Sequence, residues 1–144
     1  MSANQIKDIL KKTRTIAVVG LSKDPEKMSQ IVSAYMQQHG YRIIPVNPFV
    51  DEVLGEKSFK SLIDIPIETQ RAIDMVDIFR KAENTPPIVE QAIQLKAAIG
   101  RPFVVWMQLG IINEQAAKAA MHTGLVVVMD KCLMVEHQRL VSLY

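Results

Sequence analysis

The segment TIAVVGLSKDPEKMS, Thr15 to Ser29, decides the fold. Five mostly apolar, β-branched residues run into Gly20, and a polar turn with Pro25 follows. Met28, Ile31, Val32, Tyr35, Met36 and His39 then recur at helical spacing up to Gly40. A strand covered on both faces is apolar almost throughout, whereas a surface helix shows only an apolar stripe. The segment therefore reads as a buried parallel strand turning directly into an amphipathic helix. The same alternation continues along the chain. Residues 41–46, 74–79, 103–108 and 125–130 are strand-like, and 56–59 form a further short strand despite Gly55 and their polar character. A helix opens at Asn84-Thr85-Pro86-Pro87, where Asn84 is the expected cap, and carries Ile88, Val89, Ala92, Ile93 and Ile99 to Gly100. Another opens near Asn113 and places Ala116, Ala117, Ala120 and Met121 on one face before Gly124. Helices at 3–12 and at about 134–143 flank the array. The fold class predicted is α/β, a Rossmann-like, doubly wound parallel sheet of strand order 3-2-1-4-5-6 with right-handed crossovers. Its switch point lies between the first and fourth strands, and ligands of such sheets sit there, beyond the carboxyl ends of the strands.

The 144 residues are one domain's worth. With 49% apolar and 22% charged residues, the chain is composed like an ordinary globular protein. Seventeen Lys and Arg against fifteen Asp and Glu leave a net charge of +2, too small to suggest a nucleic acid or an anionic membrane as partner. Any anion site must be local. A single cysteine, Cys132, allows neither an internal disulfide nor a cysteine-based metal cluster. A cytoplasmic location is expected, since the first residues lack the apolar region of a signal peptide and no run is long enough to span a membrane.

The residues just after each strand converge if the fold is right. The first turn, GLSKDPEKMS, starts a helix whose free N–H groups and positive dipole end favour a phosphate; Gly20 allows close approach, and Ser22, Lys23 and Ser29, with Lys27 beyond them, add donors. The bland alternative is a strand-to-helix turn whose helix begins at Pro25. The loop is neither G-x-G-x-x-G nor a Walker A motif. The second strand ends Val46-Asn47-Pro48, without the acid that a nicotinamide dinucleotide's ribose would want. A nicotinamide-dependent oxidoreductase or regulator is thereby disfavoured.

Taken in order, the blocks IAVVGLSKDPEKMS, YRIIPVNP, LGEKSF with DIP, DMVDIFR, VVWMQLGIINEQAA and GLVVVMDKC followed by Glu136-His137 form a specific set. Over about residues 15–139 the sequence resembles the small single-domain coenzyme A-binding proteins, which are related to the nucleotide-binding first domain of the succinyl-CoA synthetase α subunit. The resemblance implies coenzyme A or an acyl-CoA as ligand. It implies a diphosphate on Gly20, Ser22, Lys23 and Ser29, and adenosine beside Val46, Asn47 and Pro48. Phe79 and Arg80 would flank the adenine or meet the 3′-phosphate, and Met107, Gln108 and Leu109 would line the pantetheine path, with Gln108 bonding a pantetheine amide. The chain ends at Tyr144 without the downstream domain that carries the ligase's phosphorylated histidine. Ligase activity is therefore not expected.

No catalytic or metal-binding set is read from the remaining residues. Cys132 follows the last strand on the edge where a coenzyme thiol would arrive, which leaves an acyl-CoA or CoA-thiol enzyme as an alternative, but a small buried cysteine is the commoner case. His39, His122 and His137 show no ligand spacing. Glu136-His137 reads as a surface pair or helix-packing contact, Trp106 as core, Arg42 as a surface residue at the opposite sheet edge, and residues 62–66 as a turn packed on that sheet. The eight methionines read as scattered gap-fillers.

Overall fold

The computed structural model describes residues 1–141. The segments β1 (Thr15–Val19), β2 (Arg42–Val46), β5 (Met75–Ile78), β6 (Val104–Met107) and β7 (Val126–Val128) form one sheet in the order β2-β1-β5-β6-β7. All its pairings are parallel. The short strands β3 (Glu52–Val53) and β4 (Glu56–Lys57) pair only with each other, as an antiparallel hairpin.

The expected six-stranded order 3-2-1-4-5-6 is thus corrected to five strands. The sheet position next to β2 is reduced to one parallel bridge between Val46 and Phe59, held by Asn47 N–H to the Phe59 carbonyl at 2.8 Å and Phe59 N–H to the Pro45 carbonyl at 3.1 Å. The physical reason lies in the sequence of the segment. Leu54 and Gly55 both adopt positive φ, 55° and 75°, and this tight turn folds Glu56 and Lys57 back on Glu52 and Val53 before a ladder on β2 can begin. The change in topology leaves the switch point between β1 and the next strand added on the other side, β5, in place.

Side chains alternate across β1. Ile16 and Val18 enter one buried cluster, Ala17 and Val19 the other. The first cluster lies under α1 (Ala3–Lys12), α2 (Met28–Gln38) and α6 (Leu133–Leu140), and includes Ile6, Leu10, Val32, Met36, Trp106 and Leu133. The second lies under α4 (Thr85–Ile99) and α5 (Glu114–His122), with Leu62, Ile65 and Ile73 from the chain that flanks the one-turn helix α3 (Ile67–Gln70). Each buried Val, Ile or Leu contributes roughly 1.5–3 kcal/mol. These two layers hold the strand ends in register.

The helices depart from expectation in detail. The buried stripe of α2 is Ser29, Val32, Ser33 and Met36, while Met28, Ile31 and His39 are exposed. The apolar spacing overstated the width of that stripe: only the Ser29, Val32, Ser33 and Met36 side is buried, with Tyr35 at its flank bonded to His137 of α6. Met121 is also exposed: the face of α5 that meets the second layer is only as wide as Ala116, Ala117 and Ala120. Asn84 stands at the start of α4 without a side-chain cap bond. A capping oxygen seeks the N–H groups of the second and third helical residues, and here these are Pro86 and Pro87. Asn113, by contrast, caps α5 by accepting from Ala116 N–H at 3.0 Å. The last two positions of the expected C-terminal helix, 142 and 143, lie outside the described residues. No helix among the described residues is long and apolar enough to cross a membrane.

Candidate functional site

The first turn is built largely from its own hydrogen bonds. The Ser29 hydroxyl, buried under the loop, accepts from Ser22 N–H at 2.9 Å. The Ser22 hydroxyl accepts from Asp24 N–H at 3.0 Å, and the Asp24 carboxylate from Glu26 N–H at 2.9 Å. Gln30 donates from its side chain to the Ser22 carbonyl at 3.0 Å. These contacts fix the backbone so that Lys23 and Lys27 are exposed and the first-turn amides of α2 have no side-chain cap. A helix start of this kind is polarised toward an anion.

Gly20 has a reason different from the one the loop suggests. Its φ is +90°, and a Cβ at that position would meet the Phe79 carbonyl oxygen at 2.5 Å and Arg80 Cδ at 3.3 Å. The missing side chain therefore lets the end of β1 touch the end of β5. It also lets the Arg80 side chain pass over the turn. Gly20 N–H is held by the Val46 carbonyl at 2.9 Å, so the three strand ends are drawn together at this residue.

Asn47 spends both ends of its amide on the protein. Nδ2 donates to the Leu21 carbonyl at 2.9 Å, and Oδ1 accepts from Phe49 N–H at 2.9 Å. It ties the first turn to the loop after β2 and presents no carboxylate. Gln108 is nearly fully buried, and its oxygen accepts from Leu133 N–H at 3.1 Å, which joins the end of β6 to the start of α6.

Two cavities open at the carboxyl edge, on either side of Arg80. One, of about 310 Å³, has Val19, Val46, Leu62 and Ile88 as its apolar wall, with Lys60, Ser61, Asn84 and Gln91 around it. The other, of about 330 Å³, is mostly apolar and is lined by Met28, Phe79, Leu109 and Ile111, with Gln108, Lys81 and Cys132. Both volumes fall at the low end of the range usual for small-ligand sites. Neither lining contains an Asp or Glu. Of the predicted site residues, Val46, Pro48 and Arg80 meet at the first cavity, and Phe79, Arg80, Gln108 and Leu109 at the second. Met107 is fully buried behind them in the second core layer. Lys60, Ser61, Asn84, Gln91, Lys81 and Ile111 were not foreseen. Asn84 had a signal, since a cap residue followed by two prolines has no amide to cap; Lys60 and Gln91 had none.

Cys132 is a buried free cysteine at the start of α6, against the second cavity. Trp106 is core as expected, with its indole N–H donating to the Lys131 carbonyl at 2.8 Å. Arg42 is exposed at the amino end of β2. Of the two readings of Glu136-His137, the helix-packing contact holds and the surface pair does not: both residues are buried, Glu136 accepts from Arg139 at 2.9 Å, and His137 Nδ1 of α6 shares a hydrogen bond of 2.8 Å with the Tyr35 hydroxyl of α2. Burial first, and His39 beside it second, lower the His137 pKa below 6.5. Asp77, in the middle of β5, is buried with no hydrogen-bond partner for either carboxylate oxygen. Burial pushes its pKa well above the usual carboxylate range, opposed in part by the nearby Ile78 backbone.

Comparison with known proteins bears on this edge. The model of a family described as the CoA binding domain matches residues 14–138. The YneT protein of Bacillus subtilis (strain 168) is 42% identical over 136 residues, covering 94% of either chain. A solved structure of a protein from Pyrococcus horikoshii OT3 has a TM-score of 0.89 at 40% identity, and the match covers 99% of this chain and 94% of that one. The α subunit of an ADP-forming acetate–CoA ligase II from Pyrococcus furiosus is 41% identical over 64 residues, 44% of this chain but 14% of the ligase subunit.

Proposed function

Because the chain belongs to the CoA binding domain family, we propose that it is a single binding unit for coenzyme A or an acyl-CoA, held along the carboxyl edge of the sheet. The observation that carries this reading is the pair of cavities on either side of Arg80 at the switch point, with the uncapped start of α2 beside them and no carboxylate in either lining. A polyanion with an apolar base at one end and a neutral, thiol-tipped arm at the other fits such an edge.

The diphosphate would rest at the first turn, with Lys23 supplying charge, Ser22 and Ser29 holding the loop, and Gly20 allowing Arg80 to lie across it. The adenosine would enter the cavity walled by Val46 and Pro48, with Asn47 fixing the loop behind it. The pantetheine arm would follow Phe79 and Leu109, its amide bonded by Gln108, over the floor formed by Met107. When bound, coenzyme A supplies a thiol or thioester, and this chain's residues bind and orient it; none of them is assigned a proton-transfer or nucleophilic role.

Calorimetric titration of the ligand-stripped protein with coenzyme A, with NAD in parallel, tests the reading. Saturable binding at micromolar or tighter Kd, absent for NAD, is expected. Absence of binding by coenzyme A refutes it.

A further inference from the structure

The segment that fails to become a sixth strand has another use. After the single bridge of Phe59 to Val46, the chain leaves the sheet at once. The Ser61 hydroxyl donates to the Asp64 carboxylate at 2.7 Å, and Leu62 N–H donates to the Gln91 side-chain oxygen at 3.1 Å. Lys60 is thereby fixed between a hydrogen-bonded bridge and a hydrogen-bonded turn, on the wall of the first cavity, with Arg80 on the same lining. A ladder continuing past Phe59 would have carried it along the edge of β2 instead.

The cations on that lining have no ion-pair partner. Among the described residues the ion pairs are Arg101 with Asp74 and Arg139 with Glu136, so neither Lys60 nor Arg80 has a carboxylate partner. The lining holds no acid, and Asn84, whose side chain makes no cap bond, sits at the positive end of the fifteen-residue α4. The remaining walls are apolar or amide. Such a wall suits a purine, on whose face a guanidinium can stack, but a purine offers the Lys60 ammonium no counter-charge. A phosphomonoester dianion does. It can take a bidentate guanidinium from one side and a point-charge ammonium from the other.

Resting on the coenzyme A reading above, we propose that Lys60, on the same cavity lining as Arg80, is a specificity-determining residue that recognises the 3′-phosphate on the ribose of coenzyme A. Arg80 lies between the two cavities and over the first turn, so it serves the whole ligand. Lys60 lines only the first cavity and serves the ribose phosphate alone. The division of labour makes the two ligands coenzyme A and dephospho-coenzyme A, identical apart from that phosphate, a direct probe.

The experiment titrates both ligands into the wild-type protein and the Lys60→Met and Lys60→Arg variants, at low and at high salt, with NADP as a third ligand. Lys60 is exposed, so neither variant is expected to disturb folding; thermal melts check this. Lys60→Met should lower the affinity for coenzyme A about tenfold, the loss of one charge-assisted contact, and leave dephospho-coenzyme A within about twofold. Lys60→Arg should restore most of the loss, and the preference for coenzyme A should shrink at high salt. Equal losses for both ligands, or none for coenzyme A, overturn the proposal while the coenzyme A reading stands. NADP binding more tightly than coenzyme A also overturns it. A wild-type protein that binds neither form of the coenzyme ends the reading and this proposal together.

Discussion

Gly20→Ala tests whether the strand ends are held together as described. The added methyl would stand 2.5 Å from the Phe79 carbonyl oxygen, a backbone atom, at a residue with φ of +90°. Neither side can retreat freely: Gly20 N–H is held by the Val46 carbonyl at 2.9 Å, and Phe79 N–H by the Val19 carbonyl at 2.8 Å. Backbone strain for a non-glycine residue at positive φ costs roughly 1–2 kcal/mol. Pushing β5 away from β1 adds about 1–3 kcal/mol of overpacking and weakened hydrogen bonding. The sum, about 2–5 kcal/mol, is a large share of an ordinary domain's stability but leaves room for folding. With a urea m-value of about 2 kcal/mol/M, the midpoint should fall by about 1–2.5 M. Equilibrium urea unfolding followed by circular dichroism and by the buried Trp106 measures it. Affinity for coenzyme A should fall as well, since Arg80 can no longer lie over the turn. A midpoint within about 0.3 M of wild type would refute the argument, because the close approach would then carry no energy.

Asn47→Asp replaces the amide donor to the Leu21 carbonyl with an acceptor; it should destabilise by about 1–3 kcal/mol and give no NAD affinity, so tight NAD binding by the variant would contradict the bridging role. Asp77 has a raised pKa when folded, so its stabilising contribution is full below the ordinary carboxylate pKa and is lost as pH rises through the raised value. Asp77→Asn should therefore gain stability relative to wild type between about pH 5 and pH 8, and an unchanged gap in urea midpoints across that range counts against a neutral buried acid. His137 has a lowered pKa, so its contribution is present above 6.5 and is lost as pH falls through the folded value. In the wild type, thermal stability should decline on acidification from about pH 7.5 to pH 5 more steeply than in His137→Gln; parallel curves would show that the imidazole among Tyr35, His39 and Tyr41 is not the group responsible.

The order of blocks along the chain sufficed for the fold class, the parallel strands and the edge on which to look for a ligand. Periodicities of two and 3.6 residues are local, and the right-handed crossover and the switch-point rule follow from them with little freedom. Ile16, Val18 and Trp106 are core for the reason their pattern implies. Local pattern marked a break at Gly55 but could not say whether the segment after it would extend along β2 or fold back on Glu52 and Val53, since both pairings compete for the same backbone groups. Nor could it tell a glycine kept for a phosphate from a glycine kept for Phe79, or show that both ends of the Asn47 amide are occupied. The sequence by itself determined the layers and the strand direction, because these rest on hydrophobic spacing that each segment carries alone. Tertiary structure decided that Lys60, Asn84 and Gln91 share a cavity with Arg80. Lys60 comes about twenty residues before Arg80 and joins it only through the packing of several elements, an approach that no local propensity encodes.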